Sequence, residues 1–459
     1  MDGYTRAIQL DPSNKVYFAN RAFSHTRLEN FGAAAEDATR SLELDPSYAK
    51  AYYRRADAAF ARAHFREAVA DFRAAARLAP RDPDLRRKLS EAERELKRVR
   101  FEDALSLPEN TTSALDDLNL DDYPLDPGYS GPAMEEDGEG GLVLTLDFVR
   151  AMMEEFRAQR MPPKRFVYHI VRAAADVMRA LPSLVDVDVP AGAHITVCGD
   201  THGQFYDLLH IFELNGLPSD DNPYLFNGDF VDRGSFSVEV ILTLLAFKAL
   251  CPGGMHLTRG NHESRSMNAL YGAYGEMRAK LGSSSVELFR ETFCTMPLAY
   301  VLGGRVMVVH GGIPTCAGGD LESLRRLDRR REPPDEGPMC ECLWNDPQEE
   351  DGLTPNKRGV GQAWGPDVTR AYLAANGLSL VVRSHEVKDE GYEVAHGGYV
   401  VTIFSAPRYC DQMTNRGAFI TFNGGEMVPH FTQFDASPHP ENVRAMQYAT
   451  GMMGGMMGY

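Results

Sequence analysis

The chain has 459 residues, 43% apolar and 25% charged, which suits a soluble globular protein of two or three domains and excludes a fibre or a wholly disordered chain. Its net charge of −17 argues against non-specific nucleic-acid binding, and no apolar run reaches the about 18 residues a membrane helix needs. The start "MDGYTRAIQLDP" lacks the basic and apolar regions of a secretory signal, and seven thinly spread cysteines indicate neither a disulfide framework nor a zinc ribbon, so reduced thiols and an intracellular location are expected.

Residues 1–104 repeat themselves. "AIQLDPSN", "SLELDPSY" and "AARLAPRD" place Pro12, Pro46 and Pro80 at intervals of 34, and Phe31 with Phe65 and Ala22 with Ala56 keep the same interval. Small residues inside helical patterns, closed by a proline every 34 positions, predict the paired antiparallel helices of tetratricopeptide (TPR) repeats. Stacked pairs leave a concave groove, here lined by Asn20, Arg27, Lys50 and Arg54, with Lys50 and Arg54 one turn apart on one helix face. The arrangement resembles the clamp by which some TPR domains hold the terminal carboxylate of a chaperone's acidic tail; a heat-shock chaperone of about ninety kilodaltons is the partner this resemblance implies. The segment holds 20 basic and 17 acidic residues, a net +3, so the remainder carries −20, an asymmetry suited to acidic partners at the front. The first repeat starts inside its second helix at about Tyr4, without the helix that supplies a further lysine and asparagine in such clamps. Either the chain is truncated or peptide binding is weakened.

A helical extension then enters an acidic, Gly- and Pro-rich stretch at 105–142, which cannot bury enough surface to fold by itself and reads as a linker. From residue 143 to 436, helical patterns broken at Pro162 and Pro163 give way to short apolar strands alternating with helices, an α/β domain. Residues 437–459 read as a Met- and Gly-rich tail.

Five strand-like runs end in residues able to hold metal. "HITVC" leads to Asp200 and His202, "PYLFN" to Asp229, "MHLTR" to Asn261 and His262, "RVMVV" to His310 and "LVVRS" to His385. Ligand crevices of layered α/β proteins lie beyond the carboxyl ends of their strands, so five such ends would make one site. Oxygen and imidazole donors without thiolates suit divalent Mn, Fe or Zn, and six donors exceed what one catalytic ion needs, so two metal ions are expected, with Asp229 as the shared carboxylate. His25, His64 and His169 are assigned to packing.

The blocks "GDTHGQ" (199–204), "GDFVDRG" (228–234), "RGNHE" (259–263) and "HGG" (310–312), extended by "KRGV" (357–360), "RSHE" (383–386) and "SAPRYC" (405–410), resemble the phosphoprotein phosphatase family of calcineurin-like metallophosphoesterases. The resemblance implies an all-α TPR repeat followed by an α/β domain with a central β-sandwich flanked by helices. It implies a protein serine/threonine phosphatase in which a hydroxide bridging two metals attacks phosphoserine or phosphothreonine directly. One ion would be held by Asp200, His202 and Asp229, the other by Asp229, Asn261, His310 and His385. Cytoplasmic and nuclear localisation, autoinhibition by the TPR segment and tail, and a fatty-acid activator follow from the same resemblance.

Beside the neutral ligand Asn261, His262 is free to protonate the departing alkoxide, and Asp232 would orient it and favour its protonated form. Glu263 is expected to cap the following segment. Arg233 and Arg358 are the candidates for gripping phosphate through planar guanidinium forks, with Tyr409 approaching it. Arg408 stands where the family usually has asparagine, which alters the expected character of that loop, and Glu29 matches a family position that reaches toward the phosphate-binding arginines. The metal motifs alone leave a nucleotide or diester hydrolase open. A catalytically dead scaffold is opposed by the presence of every expected ligand together with His262 and Asp232.

Overall fold

The structure, a computed structural model, describes residues 1–105, 113–138 and 141–451, which divide into two compact units. The parts of the expected linker and tail at 106–112, 139–140 and 452–459 lie outside the described residues.

The first unit is helical, and its elements follow the 34-residue pattern: α1 (Asp2–Leu10), α2 (Lys15–Arg27), α3 (Phe31–Leu44), α4 (Ala49–Ala61), α5 (Phe65–Leu78) and α6 (Pro83–Leu105). Alanines 22, 34, 38, 56 and 68 are fully buried where helices pack, because only a methyl group fits between closely approaching backbones. The period extends to polar contacts. Arg21 grips both oxygens of Asp37 at 2.7 Å and reaches Thr5, and 34 residues on Arg55 grips Asp71 at 2.7 and 2.9 Å and reaches Thr39. The turns repeat as well, since Glu29 and Ala63 both take φ of 60°. Segment Pro355–Gly361 belongs to this unit: the Ala33 N–H donates to the Lys357 carbonyl at 3.0 Å and Arg62 donates to that of Gly359 at 2.7 Å. A side chain at Gly32 would meet the Gly359 backbone at 2.5 Å, so that crossing requires glycine. Of the three histidines assigned to packing, His25 is buried, His169 is half-buried, and His64 opens α5 beside Glu67 with its side chain 38% exposed.

The second unit contains two facing sheets. The strands of these sheets are β1 (Leu184–Val187), β2 (His194–Cys198), β3 (Tyr224–Phe226), β4 (Met255–Leu257), β5 (Ala299–Leu302), β6 (Val306–Val309), β7 (Leu380–Arg383), β8 (Tyr392–Ala395), β9 (Val400–Ile403), β10 (Gly417–Asn423) and β11 (Pro429–Phe434). One sheet has the order β8-β9-β7-β6-β5-β1 and the other β11-β10-β2-β3-β4. Val197, Leu225, Val308, Val382, Ile403 and Ile420 fill the space between them. Helices α7 (Leu146–Arg157), α8 (Lys164–Arg179), α9 (Phe205–Asn215) and α10 (Ser237–Leu250) cover the outer face of the second sheet, and Trp364 and Leu373 pack on that of the first. With both faces covered, the parallel strands β2, β3 and β4 are largely apolar, interrupted by Thr196 and His256.

Two stretches that the sequence presents as a linker and a tail lie against this unit. Glu291 accepts bonds from the Ser113 hydroxyl and from the Ala114 and Leu115 N–H groups at 2.7–3.1 Å, while Leu115 and Met134 enter the core around Phe148 and Phe166. At the other end, the Ser437 N–H donates to Asp207 at 2.7 Å and the Met446 N–H to the Arg233 carbonyl at 2.8 Å. A few anchors do this, too sparse to produce a periodic signal.

Replacing Arg21 by alanine leaves Asp37 buried without its fork and is expected to cost about 1–3 kcal/mol in urea unfolding. Arg40→Ala removes an exposed pair with Glu43, side chains 52% and 57% exposed, and is expected to cost less than about 1 kcal/mol in the same measurement.

Candidate active site

The strands deliver their polar ends to one place. Asp200 and His202 follow β2, Asp229 follows β3, Asn261 and His262 follow β4, His310 follows β6 and His385 follows β7. The first three strands belong to one sheet and the last two to the other, and Asn227 joins them: its amide donates to the Val309 carbonyl and the Ser384 hydroxyl, both at 2.9 Å. The Ser405 N–H donates to the Asp200 carbonyl at 3.1 Å, and the Ser405 hydroxyl accepts from Gly199 at 2.8 Å. Backbone strain gathers at the same spot. His202, Asp229, Asp232, Arg233 and His385 have φ of 39, 52, 71, 68 and 69°, a left-handed conformation that costs non-glycine residues about 1–3 kcal/mol each.

All six expected ligands are buried. His202 Nε2 lies 3.6 Å from an Asp200 oxygen and 3.6 Å from Asp229 Oδ2, while His310 Nε2 lies 3.3 Å from Asp229 Oδ1. Asp229 thus turns one oxygen to each group. The Asn261 side-chain oxygen is 2.9 Å from His310 Nε2, 2.9 Å from His385 Nδ1, and 3.2 and 3.3 Å from the Asp229 oxygens. His202 and His310 face the Val231 and Asn227 carbonyls through Nδ1 at 3.0 and 2.8 Å, which puts the proton there and leaves a lone pair on each Nε2. An amide oxygen surrounded by acceptors needs either a reversed amide or a cation, and this donor set fits divalent metal. The electrostatics agree. Burial disfavours charge on His310, yet Asp229 outweighs it and pushes the imidazole up to about 9. Burial also opposes ionisation of Asp229, but His310 and His262 hold it well below the usual carboxylate range.

His262 stands beside these groups. A ligand atom of each of His202, Asp229 and His262 lies within 4.8 Å of the others. Its Nδ1 meets Asp232 Oδ2 at 2.8 Å, and Asp232 is fully buried. Arg233, also buried, stacks its guanidinium 3.9 Å above the Tyr271 ring. The Tyr409 ring is 5.1 Å from that of His202. Arg408 is exposed at φ 46°, its N–H donating to the Asn415 carbonyl at 2.9 Å. Arg358 lies within Pro355–Gly361, grouped with the helical unit.

Glu263 does not cap the following helix. Its carboxylate accepts from the N–H groups of Asp229, Phe230 and Gly260, all at 2.8 Å, tying two ligand loops together, while Glu332 takes the Arg265 N–H at 3.0 Å. Burial and Asp229 push Glu263 up to about 7. Sequence reasoning missed this function and that of Asn227. The signal available was a carboxylate and an amide at strand ends where nothing local needs them.

In the helical unit, Lys50 donates to Asn20 Oδ1 at 3.3 Å, joining α4 to α2, and Arg54 lies 4.0 Å from the Phe23 ring. Arg27 is exposed at the end of α2.

A two-sheet sandwich with acidic, amide and imidazole groups converging from the strand ends defines a calcineurin-like phosphoesterase, and that family's profile matches residues 193–389. The profile of the PPP5 TPR repeat region matches residues 89–186. Serine/threonine-protein phosphatase 5 of Arabidopsis thaliana is 48% identical over 99% of this chain and 93% of its own length. The human protein of that name is 48% identical over 98% of this chain and 89% of its own. A solved protein serine/threonine phosphatase from Saccharomyces cerevisiae, described as similar to human phosphatase PP5, superposes with a TM-score of 0.64 at 37% identity, covering 66% of this chain and 100% of its own. The chain belongs to the serine/threonine-protein phosphatase 5 family.

Glu263→Ala strips the acceptor from three buried N–H groups and is expected to cost about 3 kcal/mol or more. Thermal unfolding should show that loss, and elemental analysis a lower content of divalent metal per chain.

Proposed function

We propose that the chain hydrolyses phosphoserine and phosphothreonine esters of proteins at this site. The observation that carries the reading is the Asp229 carboxylate, which offers its two oxygens to separate donor groups beside the His262–Asp232 pair. Asp200, His202 and Asp229 would hold one divalent cation, and Asp229, Asn261, His310 and His385 a second, with manganese, iron and zinc as the ions that suit the donors. When bound, such cations activate water for in-line attack on phosphorus and neutralise the charge of the ester. Arg233, kept in place by Tyr271, takes two phosphate oxygens in its fork, and Arg358 and Tyr409 complete the grip. His262 hands its Nε2 proton to the serine or threonine oxygen as the P–O bond breaks. Asp232 holds the opposite nitrogen at 2.8 Å, which keeps the ring oriented. No covalent phosphoenzyme is required.

Turnover of a phosphoserine peptide with added manganese tests these roles. His262→Asn and Asp200→Asn are each expected to lower it about 100-fold or more, and a near-normal rate in either would overturn the assignment.

The TPR unit carries the second half of the reading. Asn20, Arg27, Lys50 and Arg54 bind the terminal carboxylate and acidic side chains of a heat-shock chaperone's tail, and the unit with Glu29 limits access to the catalytic site until such a tail or a fatty acid relieves it. Chaperone association accords with work in the cytoplasm and nucleus. Lys50→Ala combined with Arg54→Ala is expected to weaken binding of an acidic peptide with a free terminal carboxylate about 10-fold or more, measured by calorimetry. Removing residues 1–104 is expected to raise basal turnover of a small aryl phosphate; an unchanged rate would reject autoinhibition.

A further inference from the structure

The His262–Asp232 pair is not held by two residues alone. Asn268 lies in the helix Arg265–Tyr271, six positions after His262, and is 8% exposed. Its amide nitrogen donates to Asp232 Oδ2 at 3.0 Å and to the His262 main-chain carbonyl at 2.6 Å. Both N–H bonds of one amide are therefore spent on the two members of the pair. The remaining Asp232 oxygen accepts the Ala273 N–H at 2.8 Å, so both oxygens of this fully buried carboxylate are committed. Asp232 Oδ2 receives His262 Nδ1 and the Asn268 amide together, which allows the imidazole one direction of approach.

The geometry points to Asn268 as a positioning residue for proton delivery to the leaving group, an inference that rests on the acid assignment to His262. Asn268 ties the His262 backbone to the oxygen that receives the His262 ring, closing a triangle of three contacts. Free rotation of the ring would break that triangle, so Nε2 stays aimed at the oxygen that must leave. The donor is neutral, so it fills Asp232 Oδ2 without adding a charge that would compete with His262 for the carboxylate. Asparagine suits the position because its amide offers two donors a short reach from the helix. Leucine copies its size and neither donor.

A group that serves proton delivery matters in proportion to how badly the leaving oxygen needs a proton. An alkoxide from serine is a poor leaving group and needs it; a dinitrophenolate is stable without it. The test uses the full chain loaded with manganese, comparing kcat and KM for a phosphoserine peptide and for 2,4-dinitrophenyl phosphate. Asn268→Leu and Asn268→Ala are both prepared, with thermal unfolding and metal content measured on each. The expected result is a fall in kcat on the phosphopeptide of about 10-fold or more, a fall on the dinitrophenyl ester of under about threefold, and KM little changed. Equal losses on the two esters would assign Asn268 to structure alone and overturn the inference, as would no loss on either. His262→Asn is carried through the same pair of substrates. If it shows the selective loss and neither Asn268 variant does, the positioning inference fails while the acid assignment stands. If His262→Asn itself lacks selectivity, the acid assignment falls and the inference with it.

Discussion

The structure depends on how a folded chain keeps several lone pairs pointed at one another in a buried place. The Asn261 side-chain oxygen lies 2.9–3.3 Å from acceptor atoms of Asp229, His310 and His385, His310 Nε2 lies 3.3 Å from Asp229, and His202 Nε2 lies 3.6 Å from it. Charges and dipoles so arranged repel unless positive charge stands between them. The same Asp229 charge that pushes the His310 imidazole up is what would attract a divalent cation. A site of this kind is a stored cost, and the rest of the catalytic unit can be read as the means of sustaining it.

Those means are mostly apolar and backbone. Two sheets packed through a layer of valine, leucine and isoleucine fix the strand ends, and α7 to α10 bury the outer face of one sheet. Each large apolar side chain so buried contributes about 1.5–3 kcal/mol, enough in sum to hold five non-glycine residues in left-handed backbone at the site. Polar groups then set the fine geometry. Glu263 links the loops after β3 and β4, Asn227 links one sheet to the other, and carbonyls of Val231 and Asn227 choose the tautomers of His202 and His310. Removal of any of these leaves its partners buried and unpaired, which is why so few groups define so much of the site.

The helical unit obeys a simpler rule. A stack of repeats is stabilised by contacts between neighbours, so one solution to packing and ion pairing can be used again 34 residues later. Arg21 with Asp37 and Arg55 with Asp71 are the same contact twice, and Glu29 and Ala63 the same turn twice. Some contacts fall outside that repetition, such as the hydrogen bond from Lys50 of α4 to Asn20 of α2.

The sequence by itself determined what is local. The 34-residue period, the helix breaks at Pro162 and Pro163 and the apolar runs ending in Asp200, Asp229, Asn261, His310 and His385 all rest on neighbours along the chain, where burial and backbone preference leave a periodic trace. Tertiary structure alone decided which distant groups meet. The five runs divide between two sheets that Asn227 joins, Glu263 turns back to the Asp229 loop instead of capping its own helix, and Asn268 reaches both His262 and Asp232. The acidic stretch from Ser113 and the segment after Ser437 read as loose chain, yet Glu291 and Asp207 tie them down. A single hydrogen bond between residues far apart repeats nothing along the chain, so only the folded arrangement, which brings the donor within 3 Å of its acceptor, could reveal it.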